Sequence, residues 1–183
     1  MSETAVQPSA TSDGKRPLRV LLVEDSEFDA RMLVSLLQAG GFEPEFERVE
    51  TADEMRVALG QAPWEMILAD FNLPDFSAPE ALEMLQESQL DIPFIIVSGG
   101  IGEDTAVAAM KSGAHDYLMK GNLARLIPAV ERELREATVR ASRRQTVKDL
   151  RESELRHRSL IENTSDIIAV LDCKGMIQFV SPA

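Results

Sequence analysis

Side chains suited to handling a hard cation and a phosphorus centre recur at separate places along the chain: the pair Glu24-Asp25, then Asp70, then Ser98 with Gly99, then Lys120. An ion such as Mg2+ takes oxygen ligands in an octahedral shell and keeps several waters, so two or three carboxylates and a carbonyl suffice to hold it. Glu24, Asp25 and Asp70 supply such carboxylates. Packed together they repel one another, which makes the cation a condition of all three staying ionised. With that charge offset, one carboxylate oxygen can attack phosphorus. Lys120 adds a fixed positive charge, Ser98 can donate its hydroxyl proton to a phosphoryl oxygen, and Gly99 leaves a backbone N–H and space for a donor.

Each piece alone has a plainer explanation. Acids after a strand often serve the next helix by offsetting its dipole. An aspartate before FNLPD is an ordinary turn former, and a single lysine after a strand is ordinary surface. What argues for a site is their joint placement by the elements that carry them.

Residues 18–25 (LRVLLVED) form a short apolar block of the kind expected of a strand buried on both faces, and it stops at two acids. Ser26 caps a predicted helix through Phe28, Met32, Leu33, Leu36 and Leu37, which Gly40-Gly41 ends. Residues 42–49 read as a strand, Thr51 with Glu54 as a capping box for a helix closing at Gly60, and residues 65–70 (EMILAD) as the third strand. Ser77 with Glu80 opens a helix that has Pro79 in its first turn. Residues 92–98 give a fourth strand, 103–111 a helix ending at Gly113, and 115–119 a fifth strand, with His115 at its start. Five strand-helix repeats predict an α/β fold: a doubly wound, parallel five-stranded sheet of (βα)5, flavodoxin-like type. Ligands in such sheets lie beyond the carboxyl ends of the strands. Glu24, Asp25, Asp70, Ser98 and Lys120 all fall there.

The remainder of the chain has a different character. The tail, residues 1–17, is polar and proline-containing, without the apolar stretch of a signal peptide, and is expected to be disordered. With no apolar run near 18 residues, the chain reads as soluble and cytoplasmic, with no membrane partner. Residues 18–121 hold 20 acids and 6 bases, a balance of −14, whereas 122–158 hold 6 acids and 10 bases, a balance of +4. An acidic globule does not neutralise a phosphate backbone, so nucleic acid is not an expected partner. The single cysteine, Cys173, can make no internal disulfide and offers no zinc cluster, and a buried or inert thiol is expected. From 122 to 163 there is no glycine and one early proline, Pro128, predicting a long helix. Its residues Ile127, Val130, Leu134, Ala137 and Ala141 keep the spacing of a partner-facing seam, interrupted by Arg144 and Lys148. They predict a homodimer through residues 122–160, against the plainer use of the first turns in completing the domain's own core. DIIAVLD and GMIQFVS flank Cys173-Lys174-Gly175 as two strands of a hairpin.

LLVEDS, LADFNLPD, IIVSGG and GAHDYLMK together resemble the receiver domain of two-component response regulators, over residues 18–138. The resemblance implies that Asp70 is the phosphoacceptor and that Glu24 and Asp25 are the acidic metal pair, with Asn72 a Mg2+ ligand through its backbone carbonyl. It also implies that Ser98 and Tyr117 are the hydroxyl and aromatic switch residues, and that Lys120 contacts the phosphoryl group. A sensor histidine kinase or phosphotransfer protein is then the expected donor, and no separate output enzyme is expected in this chain. Two positions depart from the family pattern. Gly121 stands where a cis-proline is usual, and since a cis bond before a non-proline residue costs about 3 kcal/mol, cis and trans both stay open. Asp75 stands where glycine is common and adds an acid near the site. Residues 139–163 are expected to be a signalling helix, and 150–183 resemble the connecting helix and opening hairpin of a PAS domain, truncated from 164 on. His157 lacks the acid that a kinase phosphoacceptor motif places after it, since Arg158 follows. The competing expectation is a phosphate-independent adaptor that uses the same fold as a binding surface.

Overall fold

A computed structural model describes residues 14–61, 63–100, 103–162 and 169–180. The chain divides into two compact units, Met1–Ala137 and Thr138–Ala183.

The first unit is built on five strands, β1 (Arg16–Val23), β2 (Phe42–Val49), β3 (Met66–Asp70), β4 (Phe94–Ser98) and β5 (Asp116–Met119). All pair in parallel, in the order β2-β1-β3-β4-β5. Helices α1 (Glu27–Ala39), α2 (Ala52–Gln61), α3 (Ala78–Glu87) and α4 (Glu103–Lys111) alternate with them. A 3-10 turn at Leu123–Arg125 leads into α5 (Leu126–Glu162).

The two-residue period of a strand divides its apolar side chains between two cores. Val20 and Leu22 of β1, with Leu68 of β3 and Ile95 and Val97 of β4, meet Leu33 and Leu37 of α1 and Leu126 and Val130 of α5. Leu21 and Val23, with Ile67, Phe94 and Ile96, meet Met55 of α2 and Leu82 and Leu85 of α3. Burial on both faces explains why β1, β3 and β4 read as unbroken apolar runs. β2 is an edge strand, and its acids and Pro44 discourage pairing with another chain.

One expectation changes here and one open alternative closes. Val130 of the seam is fully buried in the domain's own core, and Ile127 and Leu134 pack against it, so the first turns of α5 complete that core and present no seam there. The Lys120-Gly121 peptide is trans, since the described residues contain no cis bond.

The second unit holds the later part of α5 and a two-stranded antiparallel sheet, β6 (Ala169–Leu171) and β7 (Ile177–Val180). Asp172 makes the turn by accepting from the N–H groups of Lys174 and Met176 at 2.8 and 2.9 Å, and Gly175 takes the left-handed conformation at φ +79°. Cys173 is exposed in this turn, not buried, because the turn puts its side chain on the outside. The tail residues 1–13 and the first residues of the hairpin's leading segment, 166–168, lie outside the described residues, as does the His157 side chain.

Candidate functional site

In the order β2-β1-β3-β4-β5, the connections leaving β1 and β3 cross the sheet in opposite senses, and a crevice opens between their carboxyl ends. Asp70 is the last residue of β3. Glu24 follows β1, and its N–H still pairs with the Val49 carbonyl at 3.0 Å, so the acid turn starts as an extension of the sheet. Arg48 fixes that turn: its guanidinium donates to the carbonyls of Glu24 and Asp25, both at 3.1 Å. Glu24, Asp25 and Asp70 thereby converge, with one carboxylate oxygen from each within 4.8 Å of the others. Glu24 is buried, Asp70 half-buried and Asp25 exposed, so the group opens to solvent on one side.

Lys120, just beyond β5, reaches into this group. Its backbone N–H donates to the Ser98 carbonyl at 2.7 Å, which ties it to the end of β4 despite the glycine that follows. Its ammonium donates to Glu24 Oε2 at 2.8 Å, to Asp70 Oδ2 at 2.9 Å and to Asp29 Oδ2. Burial works against the lysine's charge, but the bonds to Asp29, Glu24 and Asp70 outweigh it and hold the ammonium's pKa well above the ordinary lysine value. Burial raises the Glu24 carboxyl above its ordinary range, and the neighbouring Asp70 charge adds to this. Lys120 and the Ser26 N–H offset part of the rise. Asp70 is held from two sides, since its other oxygen accepts from the Phe71 N–H at 2.6 Å.

Ser98 is buried at the end of β4, with its hydroxyl oxygen 3.4 Å from the Gly100 N–H. Gly99 is exposed, and a side chain there would meet nothing within 4 Å. Asn72 is exposed in the turn after β3, bridged to Ser77. Tyr117 packs against the core on the side of α2–α4, and its buried phenolic oxygen has no hydrogen-bond partner among the described residues. Asp75 is exposed and is not a member of the three-carboxylate group. His115 has a structural place: its Nδ1 accepts from the Phe94 N–H at 3.1 Å, and its own N–H donates to the Phe94 carbonyl at 2.8 Å. Asp29 and Arg48 were not legible as site residues from sequence. Asp29 shows there only as the acid three places after a helix cap, and Arg48 as one base in an acidic edge strand.

The donor set fits a hard divalent cation. It consists of carboxylate oxygens alone, and the buried Glu24 carboxyl stands in an environment that disfavours its charge until a cation offsets it. Glu24, Asp25 and Asp70 would hold Mg2+.

Comparison with known proteins agrees with this architecture. Residues 20–131, more than half of the chain, match the response regulator receiver domain family. The cell cycle transcriptional regulator CtrA of Caulobacter vibrioides is 37% identical over 106 residues, covering 56% of this chain and 44% of that protein. The chain therefore spans less than half the length of that relative. A signal receiver domain from Vibrio parahaemolyticus has a similar structure, with TM-score 0.61, 29% identity, and coverage of 69% of this chain and 95% of that one. The beryllofluoride-activated NtrC4 receiver domain dimer aligns with TM-score 0.58 and 27% identity, over 65% of this chain and 98% of that one. The flavodoxin-like sheet, its helices and the family match lead to one conclusion: this chain belongs to the response regulator receiver domain family.

Proposed function

We propose that the chain is a phosphorylation-dependent switch in which Asp70 accepts a phosphoryl group from a histidine kinase or phosphotransfer protein. One observation carries this reading above the rest: a single ammonium, Lys120, sits on Asp70 while Asp70 also belongs to a three-carboxylate group at the sheet's crevice. An oxygen of the Asp70 carboxylate attacks the donor's phosphorus, and the P–N bond of a phosphohistidine breaks, its electron pair staying with the imidazole. Glu24, Asp25, Asp70 and the Asn72 carbonyl would hold Mg2+, which would supply positive charge to offset that of the transferring group. Lys120 meets the phosphoryl oxygens from the other side, and Ser98 and the N–H of Gly99 donate to them.

The output surface lies away from Asp70 on the same fold. Ser98 and Tyr117 carry the change, on this reading, by a hydroxyl that moves to the phosphoryl group and an aromatic ring that follows it. Tyr117 lines a cavity of about 440 Å³ with Ala106, Val107, Met110, Lys111 and Asp116, an apolar surface able to receive a partner. The latter part of α5 would pass the signal on. Its exposed Val139, Val147 and Leu150 offer a surface for pairing two copies, and the hairpin β6-β7 would open a PAS module. The CtrA protein of Caulobacter vibrioides is a cell cycle transcriptional regulator. The test is Mg2+-dependent binding of beryllofluoride, a phosphoryl mimic, followed by amide NMR at Ser98, Tyr117 and Lys120. Saturable shifts that require Mg2+ are expected. No response in the wild type would leave the phosphate-independent adaptor as the better account.

A further inference from the structure

Three helices of the first unit begin at a hydroxyl cap followed three residues later by an acid: Ser26 with Asp29, Thr51 with Glu54, and Ser77 with Glu80. The usual task of that acid is to turn back and accept from the cap. Glu54 does so, taking the N–H groups of Thr51 and Glu50 at 3.3 and 2.8 Å. Glu80 accepts from the Ser77 hydroxyl at 2.7 Å. Asp29 does not follow them. The Ser26 N–H goes to Glu24 Oε1 at 3.1 Å, and the Asp29 carboxylate is turned onto the Lys120 ammonium.

Two further observations give that diversion a purpose. Of the three carboxylates on Lys120, Glu24 and Asp70 belong to the group able to hold a cation, and Asp29 does not. A cation entering the group draws on the oxygens of Glu24 and Asp70, and Asp29 remains as the partner it does not claim. The residue after Lys120 is Gly121, which contributes no side chain to the support of the lysine, and the Lys120 side chain keeps 15% of its surface in water. A lysine side chain is rich in rotamers, and an ammonium left to itself has to be fixed at the moment an anion binds.

We propose that Asp29 is a positioning residue: it pins the Lys120 ammonium beside Asp70, so that a phosphoryl group or its mimic meets a cation already in place. The inference rests on the phosphorylation reading above. It also makes a prediction of unusual sign. As a plain negative charge Asp29 repels an incoming anion, and neutralising it would tighten binding; as a positioning residue, its loss weakens binding.

The experiment titrates beryllofluoride into the full chain at saturating Mg2+ by calorimetry, for wild type, Asp29→Asn, Lys120→Met and the double variant, with Asp29→Glu as the conservative replacement. Asp29→Asn is expected to weaken binding about tenfold, the scale of one lost hydrogen bond to a charged group. Asp29→Glu should recover most of that loss. In the Lys120→Met background, Asp29→Asn should change affinity by no more than about twofold, because the residue acts through the lysine. A second readout needs no ligand: the 15Nζ resonance of the Lys120 ammonium should be sharp and slowly exchanging in the metal-free wild type and lost in Asp29→Asn. If Lys120→Met binds too weakly to measure, that resonance decides. Unchanged or tighter binding by Asp29→Asn overturns the proposal, as does an equal loss in both backgrounds or an ammonium signal indifferent to Asp29. Wild type that fails to bind beryllofluoride removes the phosphorylation reading and this inference with it, whereas wild type that binds alongside an unaffected Asp29→Asn removes this inference alone.

Discussion

Replacing Lys120 with methionine keeps much of the side chain's length and removes the one charge shared by Glu24, Asp29 and Asp70. Deleting one partner of a buried ion pair typically costs ~3–5 kcal/mol, since the other charge is left uncompensated. That full figure does not apply here. Glu24 is 1% exposed, but Asp29 and Asp70 keep 25% and 14% of their side-chain surface in water, which screens them. The expected loss in metal-free protein at pH 7 is therefore about 2–3 kcal/mol, or about 10 °C in Tm for a domain of this size. The pH dependence follows from the shifts. Lys120 has a raised folded pKa, so its contribution is fully present below the lysine pKa of the unfolded chain, about 10.4, and pH 7 lies well inside that window. Glu24 also has a folded pKa raised above 4.5, so it takes up a proton early as pH falls, and the deficit of Lys120→Met should shrink at pH 4. Urea denaturation in EDTA at both pH values measures this. A deficit below about 0.5 kcal/mol at pH 7, the scale of an ordinary surface substitution, or one that does not shrink at pH 4, would refute the reasoning.

The raised pKa of Glu24 means that its ionisation disfavours the folded state as pH climbs from 4.5 through the folded value, so metal-free Glu24→Gln should be at least as stable as wild type at pH 7. The same variant should bind Mg2+ more weakly, and parallel denaturations with and without Mg2+ separate the two effects. Gly40 ends α1 at φ −77°, which any residue tolerates, but a Cβ there would lie 2.3 Å from Ile127 Cδ1 and 2.6 Å from its Cγ1. Gly40→Ala should cost about 1–3 kcal/mol by overpacking, with partial recovery by Ile127→Ala, read by thermal unfolding. Arg132 donates to Asp116 at 2.7 Å and to Glu133 at 2.9 Å, and both acids are buried. Arg132→Ala should cost about 1–2 kcal/mol in urea titrations, the lower part of the range because the guanidinium is itself half-exposed.

The parallel sheet was legible because strands buried on both faces leave unbroken apolar runs, and because three helices start at hydroxyl caps, two of them read with an acid three residues on. The span of β2 agrees with its apolar ends, Phe42 and Val49, and that of α4 with its stop before Gly113. That Glu24, Asp25, Asp70 and Lys120 come together was legible too, because strand ends in such a sheet share one edge. What was not legible depends on pairs far apart in sequence. Asp29 and Lys120 are 91 residues apart, and Asp29 occupies a position that local chemistry already explains as part of a helix cap. Arg48 looked like one base among the acids of an edge strand, and only its reach of 24 residues back to the Glu24 carbonyl shows what it holds. The α5 seam misled for a related reason: a helical stripe of Ile127, Val130 and Leu134 has the same period whether it faces a partner or its own sheet.

The most direct test of the account asks whether Asp70 takes up phosphorus. Wild type and Asp70→Asn are incubated with a small phosphodonor, with Mg2+ and with EDTA, and intact mass is measured before and after mild alkali, which cleaves an acyl phosphate. One phosphoryl group on wild type, dependent on Mg2+, lost in alkali and absent from Asp70→Asn, is the expected result. Equal gain in both proteins, or no gain in wild type with Mg2+ present, would contradict it.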